Sequence, residues 1–100
     1  MARKPNSDSN GNGFSEETIE AVWQKGFLMV GYPNHRTDKC GAIMERKKHG
    51  DLVQYGWEVD HIQPVAKGGG DGLSNLQPLQ WENNRHKGEN WPNWDCKIKA

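Results

Sequence analysis

Polar and apolar positions divide the chain into stretches with different periods. Residues 2–13, Ala-Arg-Lys-Pro-Asn-Ser-Asp-Ser-Asn-Gly-Asn-Gly, hold almost nothing apolar. They cannot offset the entropy of ordering a backbone, so residues 1–13 are expected to form a disordered tail, followed by one domain over 14–100. Ser15 then precedes Glu16 and Glu17, an N-cap followed by carboxylates that oppose the positive end of a helix dipole. Ile19, Val22, Trp23 and Gly26 recur at helical spacing, which predicts a helix over about residues 16–25 docked through that stripe. Phe27 to Val30 is an apolar run too short to classify by period, and Gly31-Tyr32-Pro33-Asn34 ends it with turn chemistry.

Cys40 to Ile43 has the composition to open a strand. Glu45 to Asp51, with Arg46, Lys47, Lys48 and His49, reads as an exposed turn within reach of phosphates. Val53, Tyr55, Trp57 and Val59 alternate, so a strand is expected over 52–62, stopped by Pro64. A glycine-rich loop at 63–73 leads to a short strand at 76–79, which Pro78 confines to an edge. Trp81 to Lys87 reads as a helix closed by Gly88 in the left-handed region. The segment 90–96 has loop composition but two tryptophans, and is expected to fold back over the core. The element pattern is α+β in one small domain, with its central unit at about 52–88.

At 100 residues the chain is near the lower end of sizes that bury an adequate core. Its five tryptophans are expected mainly to pack. The formal net charge of zero gives no overall nucleic-acid footprint, so any such footprint must be a local patch. No apolar run is long enough to cross a bilayer and no signal-peptide core follows the start, which leads to the expectation of a soluble cytoplasmic protein without a membrane partner. The two cysteines, Cys40 and Cys96, form neither a disulfide framework nor a zinc quartet, and are expected to be free thiols.

Chemistry concentrates between residues 57 and 87: Trp57-Glu58-Val59-Asp60-His61-Ile62, then Ser74-Asn75-Leu76, then Trp81-Glu82-Asn83-Asn84-Arg85-His86-Lys87. Hydrolysis of a phosphodiester needs a deprotonated water, compensation of phosphoryl charge and help for the departing alkoxide. His61 is the candidate base. Asp60 and Asn84 supply oxygen donors, which suit magnesium or manganese better than zinc. Two residues advance about 200° around a helix, so His86 points away from Asn84, whereas Lys87 shares its face and is expected, with Arg85, to hold a substrate phosphate. Neighbouring strand residues point oppositely, so Asp60 and His61 must sit where the strand bends or ends. Asn75 is the expected brace of the loop, since its amide can donate and accept at once. The triple glycine lacks the lysine and hydroxyl residue of a P-loop and reads as a loop only.

Together, Asp60-His61-Ile62, Pro64, Gly68-Gly69, Asn75-Leu76, Leu79, Asn84 and Lys87 resemble the motif of the HNH endonucleases, the ββα-metal nucleases. The last motif residue is here an asparagine, a variant found in that family. The resemblance implies His61 as general base, Asp60 and Asn84 as metal ligands and Asn75 as the residue that orients the loop. It also implies a ββα-metal core with an N-terminal helix packed against it. The implied activity is divalent-metal-dependent cleavage of DNA, or of RNA, by a monomer unless a dimer or larger partner assembles. Such a chain would nick one strand per binding event with little sequence specificity. Many members hold a structural zinc at positions that here are Thr37, Cys40, Gln80 and Asn83. With one cysteine among them no structural zinc is expected, and Cys40 is read as a small packing residue. A catalytically silent nucleic-acid-binding module is the rival reading, which retention of the base and both ligand positions disfavours.

Overall fold

The computed structural model, which describes residues 3–100, begins its first helix at the predicted cap: the Ser15 side chain accepts from the Thr18 amide at 3.2 Å. This helix, α1 (Glu16–Trp23), buries Ile19, Val22 and Trp23. It ends two residues earlier than its apolar stripe suggests, although Gly26 is buried as that stripe requires.

Three short strands follow, β1 (Phe27–Leu28), β2 (His35–Thr37) and β3 (Ile43–Glu45), paired antiparallel in the order β1-β2-β3. A 3-10 turn at Arg46–Lys48 stands where the charged turn is expected. Arg46 is directed inward to Glu20 of α1 at 2.9 Å, with its guanidinium 5.9 Å from the Trp57 ring. Arg46 therefore braces the fold and is not a free phosphate ligand.

The second sheet carries the site. β4 (Trp57–His61) pairs antiparallel with β5 (Leu76–Gln80), in a register that sets His61 against Leu76 and Asp60 against Gln77. The predicted strand over 52–62 is thus trimmed at its start. Residues 52–56 form a turn in which Tyr55 has φ of 68° and the Gly56 amide bonds to the Val53 carbonyl, so alternation there does not make a strand. A side chain on Gly56 would meet the Asp51 carbonyl oxygen at 1.8 Å.

Pro78 stands opposite Val59, and its missing N–H is tolerated in this two-stranded sheet. Helix α2 (Trp81–Lys87) follows directly, its first turn capped by the Gln80 side chain, which accepts from the Glu82 and Asn83 amides. Gly88 ends it with φ of 53° and ψ of −126°, a positive-φ stop outside the ordinary left-handed helical region.

The core joins α1 to both sheets through Ile19, Val22, Trp23, Met44, Trp57, Val59 and Leu76, with the Trp23 and Trp57 ring centroids 5.1 Å apart. Trp91, by contrast, is exposed and Trp81 and Trp94 are half-buried, so only two of the five tryptophans build the centre. Buried Asp38 ties the layers together: it accepts from the Cys40, Ala42 and Gln80 amides and from Asn83 Nδ2.

Two expectations are corrected. Cys40 and Cys96 are not free thiols but a disulfide, with Cα atoms 5.8 Å apart. The C-terminal segment folds back against α2, where Asn83 accepts from the Lys97 and Ile98 amides and donates to the Ile98 carbonyl. That return brings together two cysteines separated by 56 positions. Cys40 is therefore a covalent anchor for the tail, not a small packing residue.

The second correction is the tail. Residues 1 and 2 lie outside the described residues, but residues 3–13 are laid along the domain instead of extending from it. Ser7 is buried, and the Asn6 side chain reaches the Val59 amide at 2.8 Å and His49 Nε2 at 3.0 Å. Composition alone fails here because polar side chains can order a backbone when a strand edge offers them donors.

Candidate active site

Strand geometry distributes the candidate residues over two faces of β4. Trp57, Val59 and His61 alternate toward α1, where the His61 ring stands 5.9 Å from that of Phe14. Glu58 and Asp60 face α2. His61 is the last residue of β4, and the chain bends at Ile62 and Gln63. At that end the two faces open into one cleft of about 240 Å³, whose lining includes Asp60, His61, Asn84 and Arg85. Adjacent residues thereby reach a shared space despite opposite strand directions.

His61 is 6 % exposed, and its Nε2 lies 2.8 Å from Oδ1 of Asp71 in the glycine-rich loop. Asp71 also receives the Ser9 amide and hydroxyl at its two oxygens. Those bonds, that of the Ser9 hydroxyl first and that of His61 next, hold its carboxyl below the ordinary carboxylate range.

Asn75 clamps the loop that delivers Asp71. Its Oδ1 accepts from the Gln63 amide at 2.9 Å, while Nδ2 donates to the Gln63 carbonyl at 3.1 Å and the Gly70 carbonyl at 2.9 Å. The loop closes tightly at Gly69, where a Cβ would meet the Gln63 carbonyl oxygen at 1.7 Å. The glycine run is thus a close-packing requirement as well as a turn.

Asp60 is buried, and burial pushes its carboxyl above the usual range despite the opposing effect of Lys87 and of the Gln77 bond. Lys87 Nζ stands 3.3 Å from Oδ1 and Gln77 Nε2 2.9 Å from Oδ2. Lys87 also donates to the His61 carbonyl at 2.9 Å and is 1 % exposed. The expected phosphate contact by Lys87 is therefore corrected: the ammonium is enclosed and neutralised by Asp60. Arg85 is partly exposed at the cleft, but its Nε and terminal nitrogen engage the Glu58 carboxylate at 3.1 and 2.9 Å. These bonds raise its affinity for its proton and match its charge.

Asn84 donates through Nδ2 to Glu58 Oε1 at 2.9 Å. Its Oδ1 has no bonded donor among the described residues, and the side chain lines the cleft. His86 is exposed and does not line it.

Three participants escape a reading of the sequence. Glu58 orients Asn84 and Arg85; the signal available was its place two residues before Asp60, on the same strand face. Gln77 bonds Asp60 because it is the cross-strand neighbour, which only the register reveals. Asp71 has no local signal, because its position is set by how Asn75 folds the loop.

Residues 40–90, just over half of the chain, match the family model for HNH endonucleases. The chain belongs to that family. No curated protein and no solved structure matches it. No helix among the described residues is long and apolar enough to cross a membrane.

Proposed function

We propose that the chain is a divalent-metal-dependent endonuclease that hydrolyses phosphodiester bonds in DNA. The observation that carries this reading is the convergence of His61, Asp60 and Asn84 on one cleft, from a strand end and a helix. Family membership supports action on nucleic acid, and the side chains supply a route to it.

With its Nε2–H donated to Asp71, His61 presents Nδ1 as the proton acceptor for an attacking water. Asp71 fixes the tautomer and ring orientation, as the acid partner of a catalytic histidine does, and stabilises the imidazolium once the proton arrives. The water oxygen bonds to phosphorus as the bond to the departing alkoxide breaks. Asn75 keeps the loop, and so Asp71, in place behind the ring.

The donor set at the cleft suits a hard cation. An ionised carboxylate offers about four acceptor sites, so Asp60 retains capacity beyond its bonds to Lys87 and Gln77, and the Asn84 Oδ1 is left over by its own bonding. Asp60 and Asn84 would hold magnesium or manganese, which when bound compensates phosphoryl charge and the developing alkoxide. Lys87 and Glu58 act behind this pair, holding Asp60 and Asn84 in place.

One base in one small chain cuts one strand per binding event, and so small a surface favours little sequence specificity. The test is plasmid cleavage with magnesium or manganese by Asp60→Ala, Asn84→Ala and His86→Ala. The first two should lose activity and the third keep it. Greater damage from His86→Ala than from Asn84→Ala would require a different ligand set.

A further inference from the structure

The cations expected to bind phosphate are already matched by buried acids, Lys87 by Asp60 and Arg85 by Glu58. A nuclease cleft that also presents Asp60 and Glu89 to a polyanion needs positive charge from elsewhere. The N-terminal segment supplies it. Residues Arg3 to Ser7 line the same cleft as His61 and Asn84, and neither Arg3 nor Lys4 has an acidic partner among the described residues. Arg3 donates to the carbonyls of Ser7 and Asp8, which shape its segment but leave its charge uncompensated. Lys4 is exposed.

The segment is fixed at three places. Asn6, with φ of 59°, turns its side chain onto the edge of β4 that β5 leaves free, accepting from the Val59 amide. Ser7 is 2 % exposed and bonds back to the Lys4 carbonyl. Ser9 bonds to Asp71, the residue that orients His61. The backbone that carries the two cations is therefore tied to β4 through Asn6 and, through Ser9 and Asp71, to the base, and is not a free tail.

We propose that the N-terminal segment forms the substrate-binding wall of the cleft, with Arg3 and Lys4 as its contacts to the phosphates of the DNA strand being cut. This rests on the endonuclease reading and adds the source of its phosphate affinity. A phosphate held between this wall and α2 lies in the cleft that His61 lines, so the same segment that binds the strand also sets its register.

The test is anisotropy of a labelled DNA duplex titrated with protein in chelator, over a series of salt concentrations, so that nothing is cut. The wild type is compared with a double variant, Arg3→Gln with Lys4→Gln, which removes both charges and keeps polar donors. Lys99→Ala, an exposed lysine outside the cleft, is the control. The double variant should bind more weakly, with a slope of log affinity against log salt shallower by about 0.9 for each cation removed. The control should match the wild type. Unchanged affinity and slope, with plasmid still nicked by the wild type, overturn the phosphate wall and leave the nuclease reading standing. Tighter binding by the double variant, or by a chain that starts at residue 10, means the segment obstructs the cleft and also overturns it. A wild type that neither binds the duplex nor nicks plasmid removes the nuclease reading, and this inference with it.

Discussion

Lys87 Nζ and Asp60 Oδ1 face each other at 3.3 Å with side chains only 1 % and 7 % exposed. This pair joins the end of α2 to the strand that carries the candidate base. The ammonium also donates to the His61 carbonyl, so one buried cation holds the side chain of Asp60 and the backbone of His61. Lys87→Met should therefore leave Asp60 a buried, unpaired carboxyl and destabilise the fold by about 3–5 kcal/mol, measured by denaturant unfolding. A variant of unchanged stability that only binds DNA more weakly would restore the phosphate role.

The Cys40–Cys96 disulfide closes a long stretch of chain and secures the C-terminal segment over α2. Its loss should cost about 2–4 kcal/mol, chiefly by freeing the unfolded chain. Melting of the wild type with and without reductant, beside Cys96→Ser, checks this. Equal melting in all three would show that the Asn83 bonds alone hold the tail.

His49 lies half-buried between the Trp57 ring, 4.9 Å away, and the Asn6 side chain. Burial, and next the nearby Arg46 charge, hold its pKa below the ordinary histidine value. The unfolded chain thus takes up the proton first as pH falls. Stability contributed by neutral His49 is complete above about pH 6.5 and declines as pH drops from there through the lowered folded value. His49→Gln keeps a donor for Asn6 without titrating, so its unfolding free energy should fall less between pH 7 and 5. Parallel declines would place the effect on other groups.

The site was more legible in the sequence than its surroundings. Asp60, His61, Asn75 and Asn84 could be brought forward as candidates because motif spacing and helical geometry act over a few residues, and the bend after His61 follows from requiring neighbours to share a cleft. Asn75 as a loop brace was legible for the same reason, since its donor and acceptor capacity is a property of one side chain. The pairings of Lys87 and Arg85 were not legible. Helical spacing put Lys87 on the Asn84 face correctly, but whether that face is open or closed depends on how near α2 lies to β4. The N-terminal segment and the disulfide were missed because both arise from contacts across many positions, Asn6 with Val59 and Cys40 with Cys96, which local composition does not encode. The strand expected over 52–62 lost its first half because alternation continues through the turn at Gly56, which backbone geometry alone terminates.

The central claim, that His61 is the base of a metal-dependent nuclease, is tested by a time course on supercoiled plasmid at limiting protein with magnesium or manganese, run beside His61→Ala. The wild type should convert supercoiled plasmid to open circles first, with linear product only after nicks accumulate opposite one another, and chelator should stop it reversibly. His61→Ala should stay folded and still bind DNA, yet leave the plasmid supercoiled. Wild-type turnover by His61→Ala would contradict the mechanism, and linear product appearing without a nicked precursor would contradict a single-site monomer.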